Sequence, residues 1–163
     1  MTFTTESRAQ TVPRTLLVVL RVYLGVVFFM AVLPKLSAPA PGWPAHLQAL
    51  MEGGWMQRGH PFYQSFLRAV VIPHAPLFGA LIMTAELTVA LSLITGTGTR
   101  LGAGIAAFLV TNYMFSKGAW WWIPSSNDAA FFMISVVLII GAAGRAFGVD
   151  YFLVRRWPRV PIW

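Results

Sequence analysis

Two charged residues interrupt otherwise apolar runs: Arg21 in LLVVLRVYLGVVFF and Glu86 in LIMTAELTVALSLI. A lone charge inside hydrocarbon costs at least ~3 kcal/mol on insertion scales, so each needs a partner. At the helical rise, Arg21 stands roughly 10 Å above Arg14 and Glu86 about 14 Å above Thr95. These depths predict a direct or water-bridged Arg21–Glu86 pair across antiparallel neighbours. The first reading of such a pair is a buried bridge that fixes helix register; the second is a proton-handling or ligand-binding pair.

A second set of polar residues gathers at the ends of the apolar runs. Lys35 closes the first, Lys117 closes the third, Asn127-Asp128 opens the fourth, and Asn112 and Tyr113 lie just below. Lys35, Asn112, Tyr113, Lys117 and Asp128 are therefore expected to converge at an outer mouth. Cations beside amide and phenol donors suit an anion or a quinone headgroup carbonyl in a partly desolvated pocket. Their plainer use is snorkelling of the lysines and an N-cap from Asp128. His46, His60 and His74 recur at a spacing of 14 residues that fits no compact ligand motif, and are expected to be loop residues; neither metal nor haem is predicted. Arg155, Arg156 and Arg159, interleaved with Trp157, suit anionic lipid headgroups.

The elements that position these groups are apolar helices. Of 163 residues, 57% are hydrophobic and 10% charged, a balance suited to lipid and not to a water-soluble core. Four runs read as membrane helices at about 14–33, 77–95, 101–117 and 129–143; the last is short for the roughly 20 residues a crossing needs. The fold class expected is all-α, an integral membrane four-helix bundle in one domain. A long structured loop spans 37–76 between the first and second helices, and a basic tail spans 145–163. Within the loop, PFYQSFLRAVVIP carries apolar residues at mostly helical spacing, which predicts a helix on or in the outer leaflet. Gly96-Thr97-Gly98 is a tight turn between antiparallel helices and not a phosphate loop, because no Gly-Lys-Ser/Thr follows.

Twelve Lys and Arg against five Asp and Glu give a net charge of +7. Arg8, Arg14, Arg100, Arg145, Arg155, Arg156 and Arg159 fall on one side, against Lys35, Arg58, Arg68 and Lys117 on the other, which predicts cytoplasmic N- and C-termini. The basic flank and Ala38-Pro39-Ala40 imitate a cleaved signal, but the apolar run exceeds the roughly 7–15 residues of such signals and is read as a retained span. Since the basic residues flank apolar helices, membrane lipids are the expected partners and nucleic acid is not. With no cysteine, the chain offers no disulfide, thiolate metal site or dithiol chemistry, so any redox role needs a bound cofactor or a partner.

Several short patterns occur in a fixed order: Arg21-x-x-x-Gly25, Lys35-Leu36, Pro61-Phe62-Tyr63 to Pro73, Glu86-Leu87, Gly96-x-x-Thr99-Arg100, and Gly141-x-x-Gly144-Arg145-x-x-Gly148-x-Asp150. Together, from about Arg14 to Leu153, they resemble the DoxX-like family of small four-helix membrane proteins, related to the small subunit of thiosulfate:quinone oxidoreductase. The resemblance implies an inner-membrane subunit of a quinone-linked oxidoreductase or respiratory-type complex, with quinone as the cofactor and a larger membrane complex or redox subunit as the partner. A non-catalytic accessory subunit that stabilises such a complex is the alternative. Thr99, Arg100 and Asp150 look like turn and C-terminal structural elements.

Overall fold

The computed structural model describes residues 14–38, 42–122, 127–145, 147–159 and 162; Arg8 and the Pro39-Ala40 part of the signal-like motif lie outside them. The described residues are all-helical, without strands. Four longer helices dominate: α1 (Arg14–Leu36), α5 (Ala75–Thr95), α6 (Thr99–Lys117) and α7 (Asp128–Gly141). Between α1 and α5 come α2 (Trp43–Leu50), the single turn α3 (Met56–Arg58) and α4 (Pro61–Phe66), and the chain closes with α8 (Asp150–Arg156). Two helical stretches, Arg14–Leu36 and Pro61–Thr95, are long and apolar enough to cross a membrane.

α1 packs on α5 and α7, and α6 packs on α7 and α5, which closes a ring of four. Its core holds Leu24, Phe28, Val89, Leu93, Ala106, Val110 and Leu138. In a lipid-solvated protein this burial has little hydrophobic driving force, so close fit between helices must supply the attraction. Small residues provide that fit: a Cβ on Gly25 would stand 2.9 Å from Ile94 Cγ1, and one on Gly102 would strike the Ser92 side chain. The α5–α6 turn depends on Gly96 at φ 71° and Gly98 at φ 60°, which a residue with a Cβ adopts only under strain.

The connection expected as a loop over 37–76 is mostly helical, and it doubles back. A straight helix from Pro61 to Thr95 would carry Tyr63 about 48 Å from Thr95, whereas Asn112 lies only about 20 Å along α6 from Thr99. Yet Tyr63 Oη donates to Asn112 Oδ1 at 2.7 Å. The chain therefore bends between these points. The break falls at Ile72–His74, where Pro73 sits in a tight helical turn and His74 leaves helical geometry at φ −118°, ψ 29°. Residues 61–71 consequently fold over the ends of α5 and α6 that lie away from their shared turn, and Leu67 and Val71 pack with Leu47 and Met51 into a second, smaller core.

Candidate functional site: an apolar cavity with a polar wall at one end of the helix ring

Under that second core lies a cavity of about 630 Å³ between α5, α6, α2 and the folded-back segment. Its walls are mainly apolar, with Trp43, Met51, Phe78 and Ile82 among them, and one side carries Lys35, Glu86, Asn112 and Tyr113. That volume falls within the roughly 300–1,000 Å³ of small-molecule sites, and the mixture of an apolar wall with a few convergent polar groups is what such sites require.

Glu86 is the chemical centre of the polar side. It is 2% exposed. One carboxylate oxygen is paired with the Lys35 ammonium and the other accepts a hydrogen bond of 2.7 Å from Tyr113 Oη. Two donors, one of them cationic, offset the desolvation that would otherwise exclude a carboxylate from this depth. Lys35 reaches Glu86 by running back from the last turn of α1, and its ammonium sits 4.9 Å from the centre of the Trp43 ring. Further out, Lys117 Nζ meets Asp128 Oδ2 at 2.7 Å and lies 6.0 Å from the Tyr113 ring centre. A polar line thus runs from Glu86 through Tyr113 to the Lys117–Asp128 pair.

The expected Arg21–Glu86 pair does not form. A Cβ on Gly96 would collide with the Arg21 guanidinium, which places Arg21 at the level of the α5–α6 turn, ten residues or about 15 Å from Glu86 along α5. The estimated depths agreed only because each was measured from the end of its own helix, and α1 begins well beyond the end of α5. Arg21 instead donates to the carbonyls of Ala143 (3.1 Å) and Phe147 (3.0 Å). Beside it, Asp150, fully buried, accepts from the backbone N–H groups of Gly98 (2.6 Å) and Thr99 (2.9 Å) and so caps the start of α6. Ala142 and Phe147, both at positive φ, frame the carbonyls that Arg21 holds. Arg21 and Asp150 thereby fasten the C-terminal turn to the rest of the ring.

The structure brings Lys35, Asn112, Tyr113 and Lys117 to the cavity wall, with Asp128 behind Lys117. Asp128 is the first residue of α7, not the residue before it, and its carboxylate is directed at Lys117. Tyr63 and Trp43 also line the cavity and were not singled out from the sequence. A phenol amid the apolar residues of PFYQSFLRAVV was the available signal for Tyr63; nothing in the local pattern pointed to Trp43. The three histidines lie apart in role. His46 and His74 each contact a carbonyl four residues back, whereas His60 is buried, contacts the Ala119 carbonyl at 3.1 Å and packs 4.2 Å from Trp120. His60 is thus a latch on the end of α6, a role the sequence reading did not give it. Arg155, Arg156 and Arg159 are exposed on α8 and the turn after it, with the Arg155 guanidinium over the Tyr151 ring.

An all-helical membrane protein with a ligand-sized cavity at one end of its helix ring is the class that these features define. The chain belongs to the DoxX family, whose model, described simply as DoxX, matches residues 16–119. The matched span contains the entire cavity lining, from Lys35 to Lys117, and excludes α7 and the Gly141–Asp150 motif. No curated protein and no solved structure matches the chain.

Proposed function

We propose that this protein is a membrane subunit of a quinone-linked oxidoreductase or respiratory-type complex, crossing the inner membrane four times with both termini cytoplasmic, and that its cavity takes up the quinone ring. The observation that carries this reading is the union of an apolar cavity of about 630 Å³ with a buried Glu86–Lys35–Tyr113 cluster on its wall. The donor set fits the group: Lys35 has protons beyond the one engaged by Glu86, and the Tyr63–Asn112 pair adds a second polar point on the same wall. A quinone held there supplies reversible uptake of two electrons and two protons. The chain's own residues bind and orient the ring, exclude water through Leu47, Met51 and Leu67, and hold a proton between Tyr113 Oη and Glu86. Arg21 has no part in this site.

The cysteine-free sequence favours a second reading, a non-catalytic accessory subunit that stabilises a larger membrane complex, since electrons must in either case come from a partner. Extraction in mild detergent followed by mass spectrometry of every retained protein and small molecule separates the two. Quinone on the isolated chain, retained in smaller amount by Tyr113→Phe and Glu86→Gln protein that still elutes as folded, is expected. A stoichiometric large partner with no quinone bound to this chain would assign the accessory role.

A further inference from the structure

Resting on the quinone reading, we infer that the cavity is filled sideways from the bilayer. A lateral opening between α5 and α6, framed by Phe66, Leu81 and Phe108, passes the isoprenoid tail while the ring stays inside against Glu86, Lys35 and Tyr113.

Three observations converge on this opening. First, Phe66, Leu81 and Phe108 line the cavity and are 40%, 54% and 68% exposed, whereas Leu47, Leu67 and Val71 line it too and are buried. Lining the cavity does not by itself expose a side chain, so the cavity opens on the side of the first three. Second, α5 and α6 are joined by a tight turn but touch each other less extensively than α1 touches α5 or α6 touches α7. Gly102 closes the hairpin against Ser92 near the turn, and further along both helices give residues to the cavity wall, Leu81 and Ala85 from α5 and Phe108 and Asn112 from α6. Third, the gap is at the wrong depth for water. Phe108 lies about 14 Å along α6 from Thr99 and Leu81 about 21 Å along α5 from Thr95, within the apolar length of both helices. All three framing side chains are hydrocarbon, which suits a prenyl chain and opposes a hydrated solute. The ligand class is therefore a headgroup with hydrogen-bonding oxygens on an apolar tail.

The test uses the full chain in lipid nanodiscs and two probes, a benzoquinone headgroup without a tail and the same headgroup with a short prenyl tail, each expressed as mole fraction in the bilayer. The wild-type protein is expected to hold the tailed probe about tenfold tighter than the tailless one. Leu81→Trp, which narrows the opening, lowers the ratio of tailed to tailless affinity from about tenfold towards one; Leu91→Trp, exposed on α5 and outside the cavity lining, leaves both affinities unchanged. Because the chain has no cysteine of its own, Phe108→Cys supplies a second measurement: labelled in detergent with an environment-sensitive fluorophore and then reconstituted, its emission is shifted by the tailed probe but not by the tailless one. If both probes bind equally, or Leu81→Trp weakens both alike, the lateral route is wrong and ring binding stands. If neither probe binds the wild-type chain, the quinone reading fails and takes the route with it.

Discussion

The two ends of the helix ring each bury charged residues but use them in opposite ways. At the end with the α5–α6 turn, two guanidinium nitrogens of Arg21 and both carboxylate oxygens of Asp150 meet backbone groups: two carbonyls on one side, two N–H groups on the other. Glycines press against them on all sides; a Cβ on Gly144 would overlap the Asp150 carboxylate and the Thr99 hydroxyl. At the other end, Glu86, Lys35, Tyr113, Tyr63 and Asn112 bond mostly side chain to side chain along the wall of a cavity. Charges spent on backbone with no space around them hold the fold together. Charges that face a cavity are free to answer to a ligand. A buried charge in an apolar helix thus signals function only once its surroundings are known.

The sharpest way to break this contrast is at the closed end. Asp150→Ala strips two N–H groups and the neighbouring Arg21 of their counterpart, and is expected to cost about 3–5 kcal/mol, the loss typical of breaking a buried charged contact. Denaturant titration in micelles measures it; a loss below ~1 kcal/mol would remove the structural role from this end. Gly144→Ala should follow at about 1–3 kcal/mol from overpacking, with quinone affinity of the folded fraction unchanged. At the cavity end the order of effects reverses. Tyr113→Phe is expected to cost only about 1 kcal/mol of stability while weakening quinone binding by about tenfold. A variant that lost stability and kept its affinity would make Tyr113 a packing residue. Smallest of all, Lys117→Met should change stability by less than ~1 kcal/mol, since the Lys117 side chain is 35% exposed and its pairing with Asp128 is shared with solvent.

The same contrast explains what the sequence made legible. The all-helical architecture was readable because apolar runs bounded by Pro, Gly and charges need no long-range information. Glu86 was identifiable as a residue in need of a partner, and, as a separate set, Lys35, Asn112, Tyr113, Lys117 and Asp128 as neighbours of one another, because each sits near an end of its run. The partner of Glu86 was not readable. Pairing Arg21 with it assumed that helix ends are level, and the stagger of α1 against α5 is fixed by the fit of Gly25 on Leu93 and Ile94, which no single helix encodes. The cavity was equally hidden, because it exists only once the chain bends at Pro73-His74 and lays Leu67 and Val71 over α5 and α6. Tyr63 entered the site by that bend alone.

The Asp150 cap also sets an order of assembly. The N–H groups of Gly98 and Thr99 open α6, but the carboxylate that satisfies them lies 52 and 51 residues further along the chain. A chain emerging from the ribosome therefore forms the α5–α6 hairpin with its turn still uncapped, and keeps it so until α7 has been made and the segment after it has returned. The segment around Asp150 is the clasp that completes the ring, so a chain cut short before it would hold every helix of the cavity and lack the fastening that keeps them in register.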